Sequence, residues 1–66
     1  MDWKELVGKK ILFTKKYSLL YKDTILEGVV EDVSPSGKYV KIRTTVYPYT
    51  TEWYETEDIK VLEVLE

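Results

Sequence analysis

The absence of both cysteine and histidine is the feature that most constrains this chain of 66 residues. Without these side chains, neither disulfides nor a structural zinc site can hold the fold together. At this length, folding buries only about 60% of the surface that the unfolded chain exposes. The sequence therefore predicts a single domain, residues 1–66, that depends on its hydrophobic core, and 44% of its residues are hydrophobic.

Residue types favour β-strands over helices. Valine, isoleucine, threonine and aromatic residues are frequent and alanine is absent, which disfavours long helices. Alternation of apolar and polar residues predicts five strands, at 9–17, 24–34, 39–46, 52–56 and 60–65. A short N-terminal helical turn at 2–7 and a 3₁₀ turn at 57–59, before the last strand, complete the predicted all-β fold.

A glycine inside the second predicted strand indicates a bend. Gly28 has no side chain, so it lets one strand turn sharply and serve two halves of a sheet. Beyond it the apolar residues no longer alternate cleanly, which predicts a β-bulge near Glu31 and Asp32. We therefore expect a sheet that curves back on itself.

Two turns are recognisable from their residues. In the segment Ser-Pro-Ser-Gly at 34–37, proline presets the second turn position and Gly37 accepts a positive φ. The nearly palindromic segment 44–51 predicts a hairpin with Pro48 at its tip. Its threonines are expected to form facing pairs on the two legs.

The order of these elements resembles the small SH3-like β-barrel, including Tudor-like, KOW-like and Sm-like proteins. The segments that carry the resemblance are Leu-Val-Gly-Lys-Lys-Ile at 6–11, Leu-Glu-Gly-Val-Val-Glu-Asp-Val at 26–33, Tyr-Val-Lys-Ile at 39–42, Trp-Tyr at 53–54 and Glu-Asp-Ile at 57–59. The resemblance covers nearly the whole chain and implies a five-stranded barrel. It implies no single function, because such superfolds support many.

The residues of common catalytic sites are missing or poorly placed. The three serines, at 18, 34 and 36, lie at predicted turns with no histidine as a base. Adjacent acids such as Glu31 and Asp32 point to opposite faces of a strand. We expect a non-catalytic protein without a metal or cofactor. No apolar run is long enough to span a membrane and segment 1–10 is too polar for a signal peptide, which favours a cytoplasmic protein.

Charge is distributed unevenly along the chain. Segment 1–22 carries six lysines against two acids, a balance of +4, and segment 44–66 carries six acids against one lysine, a balance of −5. One interpretation is that the two ends lie side by side as strands joined by cross-strand ion pairs. The other is that a basic face meets an anionic partner.

The nine aromatic residues provide the main candidate site. Phe13, Trp3 and at least one of Trp53 and Tyr54 are expected in the core. Two loop clusters remain, and by the resemblance they face each other across one groove that binds a protein or peptide partner: Tyr17, Leu19, Leu20, Tyr21, Tyr47 and Tyr49. The alternative is that the leucines form a small core of their own and the tyrosines lie flat on the barrel.

The chemistry around the aromatic clusters favours a particular kind of ligand. Four acids lie close to them in sequence: Glu52, Glu55, Glu57 and Asp58. Aromatic faces beside carboxylates suit a cationic or proline-rich peptide. A cage for methylated lysine would need three or four rings arranged as a box.

Nucleic-acid binding is the alternative function. It would use a basic stripe with one aromatic residue to stack on a base, made of Lys10, Lys15, Lys16, Tyr39, Lys41 and Arg43. The sequence pI of about 5.1 argues against it, because compact binders of phosphate backbones usually carry an unopposed basic patch.

Two broader interpretations are also compatible with the sequence. Apolar loop residues and exposed edge strands favour homo-oligomers such as dimers or rings. An accessory role in an archaeal, viral, plasmid or ribonucleoprotein particle fits a module of this size equally well. The depletion of thermolabile side chains beside abundant lysine and glutamate is typical of proteins from thermophiles.

Overall fold

The computed structural model describes residues 2–17 and 24–65, which form an all-β fold with two short 3₁₀ turns. The first turn spans Trp3–Leu6 and the second Thr56–Asp58. The five strands are β1 (Lys10–Lys15), β2 (Leu26–Val33), β3 (Tyr39–Thr44), β4 (Thr51–Glu55) and β5 (Ile59–Val64). Each predicted element is present, with its ends shifted by at most two residues.

All five strands belong to one antiparallel sheet in the order β4-β3-β2-β1-β5. Strands β1, β2 and β3 each pair with the next in sequence, and after β4 the chain returns to place β5 against β1. Within the described residues β4 and β5 are the two edges and do not pair with each other. The sheet is therefore not closed by hydrogen bonds.

The inward face of the sheet forms one hydrophobic core. Its buried members are Leu6, Ile11, Phe13, Leu26, Val30, Val40, Ile42 and Ile59, and partly buried residues packed against them are Trp3, Val33, Val46, Tyr54 and Val61. Inward residues alternate with outward ones along β1, β2 and β3, as period-two patterning requires.

The aromatic residues predicted for the core are found there, but the neighbouring Val7 is not. Phe13 is fully buried, Trp3 and Tyr54 pack against the core, and Trp53 is 50% exposed. The sequence suggests that Val7 shares the covering face of the first turn, yet this side chain is 45% exposed. The turn ends at Leu6, so the extended backbone of Val7 carries its side chain outward.

The predictions for β2 are confirmed in part by its pairing. Gly28 is buried opposite both Ile11 and Thr44. A Cβ atom there would lie 2.7 Å from Cγ2 of Ile42 and 2.9 Å from the carbonyl oxygen of Arg43. Close approach of β3 is thus a reason for glycine at this position. The register of β2 against β3 shifts between Val30 and Asp32, where the bulge was predicted.

The turn at 34–37 also forms as predicted. Gly37 has a φ of +77°, a region that favours glycine over residues with a Cβ. Its N–H donates to the carbonyl of Ser34 at 2.9 Å, and the N–H of Ser34 donates to the carbonyl of Tyr39 at 2.9 Å.

The hairpin between β3 and β4 exists, but the palindrome predicts its register wrongly. Arg43, rather than a threonine, lies opposite Thr51. Thr44 meets Thr50 instead, and Thr45 turns to β2, where its hydroxyl donates to Oε2 of Glu27 at 2.6 Å. Sequence symmetry fails here because burial of the inward face sets the register of β3.

The basic and acidic ends of the chain do lie side by side, since β1 pairs with β5. Their facing positions nevertheless combine Leu12 with Glu63 and Thr14 with Lys60 rather than opposite charges. An ion pair links Arg43 to Glu31 at 3.7 Å, within the middle of the chain. No helix among the described residues is long and apolar enough to cross a membrane.

Candidate functional site

The loop between β3 and β4 is anchored by one buried hydroxyl group. Oγ1 of Thr44 lies 2.7 Å from the carbonyl oxygen of Pro48 and 3.1 Å from that of Thr50, so its single proton can be donated to either. The same oxygen accepts a hydrogen bond from the N–H of Thr50 at 2.7 Å. The N–H of Thr44 donates to the carbonyl of Thr50 as well. Thr44 is only 5% exposed, and these part-buried bonds tie the loop to the end of β3.

Two tyrosines project from this anchored loop. Tyr47 is 83% exposed and Tyr49 is 73% exposed, and Pro48 lies between them after a cis peptide bond. Tyr49 also lines a shallow depression with Arg43 and Thr51. The arrangement presents two large aromatic surfaces to solvent.

A groove of about 290 Å³ lies beside the loop, at its junction with β1 and β4. It is lined by Lys15, Leu26, Thr44, Pro48, Thr50, Glu52 and Tyr54. The ammonium of Lys15 lies 5.0 Å from the centre of the Tyr54 ring, a cation–π distance. The hydroxyl of Tyr54 donates to Oε2 of Glu52 at 3.3 Å. One wall therefore holds an aromatic ring between a cation and a carboxylate.

The first predicted cluster is seen through Tyr17 alone, because Leu19, Leu20 and Tyr21 lie outside the described residues. The Tyr17 side chain is 77% exposed. Its backbone N–H donates to Oδ1 of Asp58 at 2.8 Å, which fixes the end of β1 to the second 3₁₀ turn.

The four nearby acids do not act as one group. Glu52 lines the groove beside Tyr54, whereas Glu55 and Glu57 line a separate depression with Tyr39. The carboxylate of Asp58 accepts the Tyr17 N–H. One of the four is therefore placed to meet a ligand in the groove.

The six residues of the alternative nucleic-acid site are divided between different surfaces. On the outward face, Lys10 pairs with Val29, which pairs in turn with Arg43. Lys15 lies on the inward side of β1 over Tyr54, and Lys16 lines a groove next to β5. A continuous stripe of all six is not formed.

Trp53, which is not one of these six residues, lies next to two of them on the outward face of the sheet. Trp53 of β4 lies directly opposite Lys41 of β3. Tyr39, 48% exposed, is a diagonal neighbour of Trp53 on the same face, close enough for large side chains to touch one ligand. Alternation along 51–55 already indicates that Trp53 and Tyr54 face opposite ways; burial shows which one faces out.

The described residues contain no group of three or more acidic, histidine or cysteine side chains that could hold a metal ion. Comparisons with protein-family models, curated proteins and solved structures returned no match. What the arrangement offers chemically is non-covalent contact through exposed aromatic rings and a small polar groove.

Proposed function

We propose that this chain is a non-catalytic interaction domain of SH3-like architecture that binds a protein or peptide partner. The proposed contact surface comprises Tyr17, Tyr47 and Tyr49, together with the groove that separates β1 from the β3–β4 loop. In the groove, Glu52 and Tyr54 contribute the polar contacts.

The architectural part of this proposal is supported by strand order and by one contact. Strand β5 returns to β1 after a 3₁₀ turn, and β1 to β4 form a meander. The rings of Phe13 in β1 and Tyr54 in β4 pack together across the interior. A sheet curled in this way is what an SH3-like barrel requires.

The observation that carries the functional proposal is the anchored loop. A loop backbone that is already held in place loses little freedom on binding, and this reduces the cost of association. Tyrosine combines a large apolar ring with one hydroxyl and is enriched at binding surfaces. Thr44 therefore restrains the backbone of the loop that presents Tyr47 and Tyr49.

The chemistry of the groove favours an extended peptide that contains proline and basic residues. Proline rings pack well on exposed tyrosines in a polyproline II conformation. A basic side chain would find the carboxylate of Glu52 and the exposed ring faces of Tyr47 and Tyr49. The face of Tyr54 is already covered by Lys15, so it is not the expected cation site.

The test is titration of a fluorescent decapeptide of alternating proline and arginine, followed by anisotropy. Replacing both Tyr47 and Tyr49 with alanine is expected to weaken binding by at least about tenfold. The matched control is Tyr39→Ala, which removes an exposed tyrosine from another surface and should leave the affinity unchanged. Equal binding by the double variant and the unchanged protein, with both folded, would contradict the proposal.

A second candidate, binding of single-stranded nucleic acid, is favoured by the pairing of Trp53 with Lys41. An aromatic ring beside cations can stack on a base while the cations contact phosphates. Arg43 extends this patch, although its guanidinium is already paired with Glu31. The acidic composition makes this the weaker of the two.

The two candidates are separated by substituting each surface in turn. With a dodecamer of deoxythymidine at low salt, Trp53→Ala should abolish binding and the Tyr47/Tyr49 double variant should retain it. Binding should also fall steeply as salt rises, because bound counterions are released from the DNA. Absence of binding by the unchanged protein at micromolar concentration and low salt would eliminate this candidate.

A further inference from the structure

Strand β5 is an edge of the sheet, and apolar side chains lie along it. No other strand of the described residues pairs with its outer side. Leu62, Val64 and Leu65 are each more than one-third exposed, and the strand contains no proline to block pairing. We propose that β5 pairs with β5 of a second copy, antiparallel about a twofold axis, so that two sheets become one.

The backbone of β5 is oriented for such pairing. The N–H of Leu65 donates to the carbonyl of Lys10, and the carbonyl of Asp58 accepts from the residue that follows β1. In an antiparallel strand, the N–H and C=O groups of successive residues point alternately to the two sides. Val64 therefore directs its N–H and C=O to the outer edge, and Ile59 directs its C=O there, while the N–H of Ile59 donates to the carbonyl of Thr56.

Charge then selects one register. With the axis between Val61 and Leu62, Lys60 of each copy lies opposite Glu63 of the other, and symmetry creates this pair twice. Both side chains project from the outward face, because each pairs with an outward position of β1. The β-bulge at Leu62 makes this possible: without the extra residue, positions 60 and 63 would face opposite sides.

The same register matches the apolar side chains and the backbone groups. Ile59 of one copy faces Val64 of the other, so the outward N–H of Val64 can donate to the outward carbonyl of Ile59. A groove of about 280 Å³ beside this half of β5 has room for the incoming valine, and its walls are Trp3, Leu6, Lys16, Ile59, Lys60 and Val61. Pairing thus covers Val64, which is 36% exposed in the single chain.

The other edge of the sheet is less suited to a second copy. Strand β4 has the sequence Thr-Glu-Trp-Tyr-Glu, with two carboxylates and no cation. Self-pairing of β4 therefore offers no opposite charges that could form cross-strand ion pairs. The complementary charges of β5 make it the preferred edge.

The experiment is light scattering across a concentration series with charge-reversed variants. The unchanged protein should show the mass of two chains as its concentration rises. Lys60→Glu and Glu63→Lys each place like charges opposite one another and should raise the dissociation constant by at least about tenfold. The double variant K60E/E63K exchanges the partners and should restore dimerisation to within about threefold of the original.

The matched control is Lys4→Glu, a charge reversal outside β5, which should not change the mass. A mass of one chain at every concentration overturns the proposal, as do single variants that dimerise normally or a double variant that is not restored. If a variant does not fold, amide exchange in the unchanged protein decides. The N–H group of Val64 should become protected as concentration rises, and exchange at Val64 that is independent of concentration overturns the pairing.

Discussion

The rings of Phe13 and Tyr54 lie 6.3 Å apart, centre to centre, with an angle of 59° between their planes. Their strands, β1 and β4, are separated in the sheet by two others. The contact therefore shows that the sheet curls until its inward face packs on itself, in a tilted ring geometry that aromatic pairs prefer. The same curvature brings Lys15 over Tyr54 and creates the groove beside the tyrosine loop.

Truncation of Phe13 is expected to unfold much of the population. Phe13→Ala removes a fully buried ring and should cost about 3–5 kcal/mol, which is comparable to the whole stability that a core of this size supplies. Phe13→Leu should cost clearly less, because it retains most of the volume. Thermal denaturation followed by circular dichroism measures both. The control is Tyr47→Ala, at an exposed ring, which should change stability by no more than about 0.5 kcal/mol. An equal loss of stability in Phe13→Ala and Tyr47→Ala would refute the packing argument.

Removal of the Thr44 hydroxyl is expected to loosen the tyrosine loop. Thr44→Val keeps the shape but leaves the N–H of Thr50 and the carbonyl of Pro48 without this hydroxyl partner, at a cost of about 1–3 kcal/mol. Urea denaturation gives the stability, and peptide affinity should fall with it. The same substitution at exposed Thr51 serves as the control and should be nearly neutral. A stable Thr44→Val variant with normal binding would show that the hydroxyl does not hold the loop.

Two glycines should respond differently to substitution. At Gly28, alanine meets Ile42 and the β3 backbone, so overpacking should cost about 1–3 kcal/mol, and asparagine should be worse. At Gly37, a Cβ would meet nothing within 4 Å, so the cost of alanine is backbone strain of about 1 kcal/mol. Asparagine tolerates a positive φ, so Gly37→Asn should recover most of that loss. Chemical denaturation of the four variants tests this, and harmless substitution at Gly28 would contradict the close approach.

Asp58 is expected to fix the position of Tyr17. Asp58→Ala removes the acceptor for the Tyr17 N–H and should destabilise the protein by about 1 kcal/mol. Asp58→Asn retains an oxygen acceptor and should lose less. Amide exchange at Tyr17 provides the readout: protection should be lost with alanine and largely kept with asparagine. Unchanged exchange in both variants would show that this hydrogen bond is not what protects the segment.

Strand positions were predictable because they depend on short-range patterns. Alternation of inward and outward residues identified Val40, Ile42 and Thr44 as one face of β3, and burial confirms that assignment. The turn at Gly37 and the bulge after Val30 also arise from local residue types. Register was harder, since the threonine palindrome predicted facing pairs that burial of β3 and the contact of Thr45 with Glu27 override.

The candidate site was only partly visible in the sequence. Tyr47 and Tyr49 stood out because no core pattern included them, and both are exposed. The role of Thr44 in anchoring the loop could not be predicted, because its hydrogen-bond partners are known only once the loop is folded. Likewise, the partnership of Trp53 with Lys41 depends on strand register.

By itself, the amino-acid sequence determined the class of fold, the number and approximate position of the strands, and the two tyrosines, Tyr47 and Tyr49, that lie outside the core pattern. These follow from residue preferences and from a period of two, which operate over a few neighbouring positions. The tertiary structure decided which of the lysines share a face, which ring packs against Phe13 and how Thr44 holds its loop. Those relationships join residues far apart in the chain, so they depend on the curvature and register that the whole sheet adopts.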